Sequence, residues 1–434
     1  MILIHLPVFC LCELVSVTTL ARHGERTSII PLGIYTDPQD PQPGHLTELG
    51  LQMQYVLGKR IRDHYIKQNF FPEKYNSNNF YIRASPFPRT QQSAQAHVIG
   101  YFRDGTGPDN IHTFPIQTDL YEEEWLFTAH DACPRSLENK RLFKESTKYT
   151  EFMASLKPDF EEASAYFKTE INESNYHDAN DELERKAYRG LITDEAEKKI
   201  AKAMNAAKMN TWFHQFDFEN NVTVKMVAGI LLGELFYENL NRDVSDYQHK
   251  TKTSDINAEN PNDALRKVRL YLGHDINTWN LLNIFGNRTT HIPDYASSII
   301  TELHVENNEP FIQIYYVEEV PIDQSISLEK TWVPITPKGC PAHKCPLGTF
   351  QEQYRNYSVY KDKILEWRED ICQFKDFLVP LPKTSYKGGP TNVILPLFTI
   401  LAILFVAVVL ITILTCCSKR QRKGGYQTLP DSSE

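Results

Sequence analysis

Residues 13–27, "ELVSVTTLARHGERT", alternate apolar and polar side chains and then bring two arginines, a histidine and a glycine together. The alternation predicts a strand, and open α/β sheets bind ligands beyond the carboxyl ends of their strands. The guanidinium groups of Arg22 and Arg26 suit phosphate oxygens, and Gly24 allows close backbone approach. A neutral His23 can attack phosphorus. The alternative is that both arginines pair with carboxylates and that His23 is a satisfied surface residue.

The rest of the chain predicts an α/β sandwich around a mixed, mostly parallel sheet flanked by helices. Strand-like runs occur at 80–85 and 268–272, and a hairpin is predicted at 299–317. A helix at 45–65 would present one apolar face, formed by Leu46, Leu49, Met53, Val56, Leu57 and Ile61. Residues 136–220 are rich in Glu, Lys and Ala and indicate a helical cap insertion, which we bound at about 105–221. The polar stretch 241–264 predicts a loop.

Two apolar segments predict a single-pass type I membrane protein. Residues 393–415 carry no charge and are long enough to cross a bilayer, and "SKRQRK" after them indicates the cytosolic side. Residues 1–12 are interpreted as a signal peptide. The predicted order is then a lumenal or extracellular domain at 13–380, a stalk at 381–392, the membrane helix and a cytosolic tail at 416–434.

Cysteines and sequons agree with export. Cys133, Cys340, Cys345 and Cys372 lie in the predicted lumenal part and suggest two disulfides, with three pairings open. Zinc is the alternative for "CPAHKC", although one cysteine pair is a weak metal signature. Asn-x-Ser/Thr sequons make glycosylation candidates of Asn172, Asn221, Asn287 and Asn356.

Two further strand ends carry matching chemistry. "FYIRASPFPRTQQSA" places Arg83 after the second strand, and "VRLYLGHDINTW" places His274 and Asp275 after the third. With Arg-His-Gly-x-Arg at 22–26, these blocks resemble the histidine acid phosphatases of branch 2 of the histidine phosphatase superfamily, over roughly residues 13–375. Glu25 also resembles the phosphoglycerate mutase branch, but the late His-Asp pair argues against that branch.

The resemblance implies a role for each residue. His23 becomes the phosphohistidine; Arg22, Arg26, Arg83 and His274 hold the phosphoryl group; and Asp275 protonates the leaving oxygen, with acidic pH expected to fill its protonated state. It implies no cofactor or metal, a homodimer, and the disulfides Cys133–Cys372 and Cys340–Cys345. A third family disulfide is missing, since Ser298 stands where relatives have a cysteine.

The expected function is an acid phosphatase for small phosphate monoesters or phosphopeptides, in a lysosomal, endosomal or cell-surface membrane. The alternatives are a phytase or another specialised phosphatase on the same fold, and a catalytically idle membrane receptor. The net charge of −9 argues against a nucleic-acid partner. No dense basic cluster is visible near the predicted mouth, so we expect broad specificity. Tyr426 and Leu429 resemble an endocytic sorting signal, and Cys416 and Cys417 are palmitoylation candidates.

Overall fold

The computed structural model describes residues 12–374 apart from 36, 69, 72–74, 76, 78, 103–112, 217–219, 253–267, 288, 290 and 319–331. These residues belong to one compact unit, Met1–Leu378. Residues 1–11 of the predicted signal, and the predicted stalk, membrane helix and cytosolic tail, lie outside the described residues, as do Tyr426 and Leu429. Within the described part, no helix is long and apolar enough to span a bilayer.

A single sheet of seven strands organises the described residues, in the order β2-β3-β1-β4-β5-β6, with β7 paired to β5. The strands are β1 Cys12–Arg22, β2 Phe80–Ala84, β3 Val268–Gly273, β4 Ser298–Glu306, β5 Glu309–Val317, β6 Trp332–Ile335 and β7 Cys345–Pro346. The predicted strands are thus present. Cys12, predicted as the last residue of the signal, is the first residue of β1.

The sheet is mixed, but the prediction that it is mostly parallel was wrong. Only β2-β3 and β3-β1 pair in parallel among the described strands, and the other pairings are antiparallel. Parallel pairs need a long crossover, which the helices after β1 and β2 provide, whereas β4 and β5 are joined by a tight turn at Asn307 and Asn308, both with positive φ. The β4-β5 hairpin is therefore one of the antiparallel pairings in the described sheet.

Twelve α-helices of eight or more residues surround this sheet in the described part. They are α1 Glu48–Ile66, α2 Pro88–Tyr101, α3 Trp125–Ala132, α4 Pro134–Lys144, α5 Thr147–Ser155, α6 Lys157–Phe167, α7 Tyr176–Tyr188, α8 Glu195–Gln215, α9 Asn221–Leu232, α10 Asn239–Lys252, α11 Asp275–Ile284 and α12 Leu347–Tyr354. Helices α1 and α2 pack on one face through Met53, Leu57 and Val98, and α9 and α11 supply the core of the other face. Helices α5 to α8 share a separate apolar cluster around Met204.

The segment 241–264 begins as a helix rather than the predicted loop. Residues 239–252 form α10, with Leu240 buried and Val244 and Tyr247 packed on the core. Asp243 is buried in the same helix because it pairs with Arg269 of β3. Positions 240, 243, 244 and 247 share one face of the helix, and the charged Asp243 on that face obscures its apolar pattern in the sequence. Residues 253–264 lie outside the described part.

Both disulfides implied by the family resemblance are present. Cys133, between α3 and α4, bonds to Cys372 across 239 residues of sequence, and Cys340 bonds to Cys345. The long bridge ties the start of the helical insertion to the C-terminal end of the described chain, where a crosslink restricts the unfolded state most.

Candidate active site

Backbone hydrogen bonds and close packing fix the loop that follows β1. The N–H of His23 donates to the carbonyl of Gly273 at the end of β3 over 3.1 Å, and the carbonyl of His23 accepts from Ala296 over 3.1 Å. A Cβ on Gly24 would lie 2.2 Å from the carbonyl oxygen of Gly50 in α1. The glycine that the sequence assigned to phosphate approach therefore serves the contact with α1.

His23 is buried and its tautomer is set by the neighbouring backbone. Nδ1 lies 2.8 Å from the carbonyl oxygen of Gly24, which can only accept, so Nδ1 carries the proton and Nε2 the lone pair. Burial holds the pKa of this imidazole well below 6.5, and the charges of Arg89, Arg22 and Arg26 lower it further. A neutral ring with its lone pair on Nε2 therefore persists in mildly acidic solution.

Carboxylates of α7 hold the two arginines beside His23. Nη1 of Arg22 donates to Glu184 over 2.7 Å, and both Nη atoms of Arg26 donate to Asp181 over 2.8 Å. The Nε atoms of Arg22 and Arg26 are buried and have no hydrogen-bond partner among the described residues. The arginines thus pair with carboxylates, as one interpretation predicts, and their Nε donors leave the phosphate interpretation open.

The structure places Arg83 with two carboxylates instead of with His23. Ile82 and Ala84 of the same strand are buried on the side of α1 and α2, so Arg83 points to the opposite face of the sheet. There its Nη2 donates to Asp119 over 2.7 Å and to Glu124 over 3.1 Å. This corrects the expectation that Arg83 belongs to the phosphate clamp.

Arg89 is the arginine that the sequence analysis missed. It is the second residue of α2, just beyond the carboxyl end of β2, and its Nη2 lies 3.5 Å from Nδ1 of His274. Among nearby charges, Arg89 does most to lower the pKa of His23. The signal was present in "SPFPRT", where a second arginine follows the strand end by a few residues.

His274 lies between the end of β3 and the first turn of α11. Its ring centroid is 5.6 Å from that of His23 and 5.2 Å from that of Phe87. Nε2 lies 2.9 Å from the hydroxyl of Ser85, so Nδ1 is the nitrogen beside Arg89. Burial and the charge of Arg89 hold the pKa of His274 well below 6.5.

Asp275 is the first residue of α11 and stands between two cations. Its Oδ2 lies 3.6 Å from Nη2 of Arg22 and 3.6 Å from Nζ of Lys208, and its Oδ1 accepts from the N–H of Ile276. Burial alone raises the carboxyl pKa, but Lys208 and Arg22 outweigh it and hold the pKa below its usual 3.8. These two cations therefore oppose the protonated state of Asp275 that acidic pH is expected to fill.

Helix α7 supplies further contacts that sequence reasoning missed. Glu25, inside the Arg-His-Gly motif, is fully buried and accepts from Nε of Arg185 over 2.7 Å and from Nε of Arg189 over 2.9 Å. Together with Asp181 and Glu184, Arg185 of α7 and Arg189 at its C-terminal end place charged side chains along one side of the site. Charged residues three and four apart were the signal, but such a pattern usually marks a solvated helix face.

The glycosylation candidates are at least partly exposed, and the described residues form no metal-binding cluster. Asn221, Asn287 and Asn356 are exposed and Asn172 is partly exposed, so all four are accessible for modification. No group of three or more His, Cys, Asp or Glu side chains able to hold a metal occurs in the described part of the chain.

Comparisons with known proteins agree with this architecture. A sequence model described as the histidine phosphatase superfamily (branch 2) matches residues 39–317, more than half of the chain. Lysophosphatidic acid phosphatase type 6 of Mus musculus is 24% identical, over 74% of this chain and 69% of that protein. Lysosomal acid phosphatase of Xenopus laevis is 24% identical, over 97% of this chain and 90% of that protein.

Among solved structures, the apo form of a phytase from Hafnia alvei shares the fold. The TM-score is 0.58 at 14% identity, with 80% of this chain and 97% of the phytase covered. At that identity the likeness concerns the fold alone. The match of the superfamily model, together with the acid phosphatase relative that spans nearly the whole chain, shows that this protein belongs to branch 2 of the histidine phosphatase superfamily.

Proposed function

We propose that this chain is an acid phosphatase that hydrolyses phosphate monoesters through a phosphohistidine at His23. The observation that carries the proposal is the pair of buried Nε donors on Arg22 and Arg26, which lack an acceptor among the described residues. They flank a neutral imidazole whose Nδ1 is held by Gly24. A phosphoryl group offers both the missing acceptors and an electrophile for Nε2.

In the first step, the Nε2 lone pair of His23 forms a bond to phosphorus while the bond from phosphorus to the leaving oxygen breaks. Asp275 gives a proton to that oxygen, and the alcohol departs. Arg22, Arg26 and Arg89 offset the negative charge on the equatorial oxygens, a task that magnesium performs in many other phosphoryl transfers. We assign the third arginine of the clamp to Arg89 because it lies beside His274 and lowers the pKa of His23, whereas Arg83 points to the opposite face of the sheet.

In the second step, a water molecule attacks the phosphohistidine and the nitrogen–phosphorus bond breaks. The Asp275 carboxylate takes one proton of that water, inorganic phosphate leaves, and His23 regains its lone pair. Asp275 therefore acts first as acid and then as base. His274 completes the clamp: once an anion offsets the charge of Arg89, its Nδ1 can take a proton and donate to a phosphoryl oxygen.

Acidic conditions suit this site for two reasons. His23 stays neutral because burial and the arginines oppose its protonation. A phosphate monoester has a second pKa of about 6 and is a monoanion below that value. The proton that Asp275 needs can therefore arrive with the substrate. Bound phosphate then offsets Arg22 and Arg26, which lets the carboxyl hold the proton.

The test is turnover by the full chain, solubilised in detergent, with an aryl phosphate near pH 5. His23→Ala should abolish turnover, while His291→Ala, a substitution of a histidine 42% exposed and paired with Glu318, should leave it unchanged. Absence of turnover by the unsubstituted protein at any pH would favour the idle receptor.

Asp275→Asn separates the two roles by leaving group. Aryl phosphates leave without protonation and alkyl phosphates do not, so the substitution should lower kcat/KM for an alkyl phosphate much more than for an aryl phosphate. An equal loss for the two substrates would move the proton donor to another group.

The proposed clamp contacts only the phosphoryl group, so the catalytic residues do not determine which phosphate ester is preferred. We propose broad specificity. A panel of aryl, sugar, nucleotide, peptide, lysophospholipid and inositol phosphates, compared by kcat/KM, tests it. A preference of several orders of magnitude for inositol hexakisphosphate would establish the phytase alternative, and one for lysophosphatidic acid would match the mouse relative.

We further propose that the enzyme is anchored with its catalytic domain in the lumenal or extracellular space. Residues 393–415 provide the anchor, residues 1–12 the signal region, and the sequons and disulfides fit an oxidising compartment. Tyr426 and Leu429 would direct the protein to endosomes and lysosomes. We also propose the homodimer that the family resemblance implies. Immunolocalisation of the wild type and of Tyr426→Ala tests the sorting role, with retention at the cell surface expected for the variant.

A further inference from the structure

Lys208 is the one cation of the helical insertion whose ammonium lies beside the proposed proton donor among the described residues. It is carried by α8 and its side chain is 14% exposed. Nζ lies 3.6 Å from Oδ2 of Asp275 and 4.9 Å from the ring centroid of Trp212, one turn further along the helix. The ammonium is thus held between an aromatic face and the carboxylate.

The same carboxylate oxygen is contacted from the sheet side. Nη2 of Arg22 lies 3.6 Å from Oδ2, so Asp275 is placed between a cation from β1 and a cation from the insertion. Arg22 also pairs with Glu184, which takes part of its charge. Lys208 pairs with Asp275, and its charge also lowers the pKa of the buried Asp181 carboxyl.

We propose that Lys208 is a positioning residue for the proton donor: by pairing with the Asp275 carboxylate, it confines the hydrolysis of alkyl phosphates to acidic pH. The inference rests on the proposed phosphatase reaction. Aryl phosphates need no proton donor and should be hydrolysed over a wider pH range.

The charged surroundings of Asp275 are consistent with this role. Burial favours the protonated carboxyl, and four features oppose it. They are the ammonium of Lys208, the guanidinium groups of Arg22 and Arg26, the neighbouring His274, and the N-terminus of α11. The carboxylates Glu184 and Asp181, which pair with the two arginines, offset part of that positive charge, and Arg89 lies beside His274. The net effect is a carboxyl pKa below 3.8, and Lys208 makes the largest opposing contribution.

Lys208→Met should therefore raise the pKa of the Asp275 carboxyl. An opposite charge within about 4–6 Å typically lowers a carboxyl pKa by about 1–3 units, so we take a rise of about one unit. Above that pKa, the protonated fraction is proportional to ten raised to the power of the pKa minus the pH. A one-unit rise then makes the protonated form about tenfold more abundant at any given pH.

The measurement is the ratio of kcat/KM for an alkyl phosphate to kcat/KM for an aryl phosphate, followed from pH 4 to pH 8 with the full chain in detergent. Titrations of enzyme groups that act on both substrates alike, including those of His23 and of the phosphate clamp, cancel in this ratio. The substrates' own ionisation is the same for wild type and variant, so it cancels when the two ratios are compared at one pH. In Lys208→Met the ratio should be about tenfold above that of the wild type at each pH on the falling limb. Lys208→Arg keeps the charge and should return the ratio to the wild-type value.

Two further variants complete the test. Lys208→Gln is a second neutral substitution, and it should raise the ratio in the same direction if Lys208→Met does not fold. Lys202→Met removes an exposed lysine from the same helix and should leave the ratio unchanged.

A ratio in both neutral variants that follows the wild type at every pH would overturn the inference. So would equal losses for alkyl and aryl substrates, or failure of Lys208→Arg to restore the ratio. Failure of the proposed function looks different, because the wild type would then show no turnover, or Asp275→Asn would leave its ratio unchanged.

Discussion

The assignment of Arg89 to the phosphate clamp predicts opposite outcomes for two arginines six positions apart. We compare Arg89→Met with Arg83→Met, because methionine keeps much of the apolar stem and removes the guanidinium. Arg89 lies beside His274 at the mouth of the sheet, and Arg83 lies with Glu124 and Asp119 on the far face of β2. One substitution should damage catalysis and the other should damage stability.

The expected magnitudes come from what each guanidinium contacts. Removing one preorganised donor from the charge that develops in a transition state costs about 10²–10³ in kcat. Arg89→Met should therefore lower kcat/KM by at least about 100-fold while leaving the unfolding midpoint near that of the wild type. Arg83→Met leaves Glu124, which is fully buried, without its cation, and breaking a buried pair costs about 3–5 kcal/mol.

The assay is kcat/KM for an aryl phosphate per mole of folded protein, with thermal unfolding measured on the same preparations. At about 2–4 °C per kcal/mol, or less in a domain of this size, Arg83→Met should lower Tm by several degrees. Its activity at 20 °C should stay within about threefold of the wild type, because surface or remote substitutions that preserve folding leave transition-state contacts intact. A 100-fold loss in Arg83→Met with full activity in Arg89→Met would refute the assignment.

Two predictions concern stability. His97 is fully buried, with Nδ1 3.0 Å from Gln54 and Nε2 3.0 Å from Tyr101, and burial lowers its pKa from 6.5 to about 3. Between these values only the unfolded chain binds the proton, so the native state loses about 1.4 kcal/mol per pH unit as pH falls, or about 2 kcal/mol at pH 5. His97→Gln should flatten the pH dependence of the unfolding free energy by that slope, measured by urea titration at pH 4 to 7, and an unchanged slope would contradict it. The double substitution of Cys133 and Cys372 by alanine should cost about 2–5 kcal/mol, and that of the short bridge measurably less; equal losses in denaturant titrations would show that loop length is not the cause.

Much of the catalytic core could be predicted from sequence because it is local. The strand β1 ends at Arg22, and the residues that follow it are fixed to the strand end by chain connectivity alone. The same holds for His274 and Asp275 after β3. Since parallel strands place their carboxyl ends at one edge of a sheet, two such segments meet without any knowledge of the loops. The tight turn of the hairpin is equally local.

Arg83 and Arg89 show where this reasoning fails. Arg83 lies near the end of β2 and Arg89 follows that strand, and composition does not indicate which of the two arginines contacts the site. The pleat of β2 turns Arg83 to the face of Glu124, while the turn into α2 returns Arg89 to the edge where His274 lies. Which of two nearby cations reaches a site depends on side-chain direction, and that is set by packing on both faces.

The long-range charge pairs could be settled only by the tertiary structure. Asp181 reaches Arg26 and Glu184 reaches Arg22 across more than 150 residues, and Lys208 reaches Asp275 from a helix that its sequence marks only as amphipathic and charged. A carboxylate on a helix looks the same in sequence whether it faces water or a buried guanidinium. The sequence by itself therefore determined the position of the proposed nucleophile His23 and its strand, because these depend on neighbours along the chain. The tertiary structure decided which charges surround them, because those partners come together only when the insertion packs over the edge of the sheet.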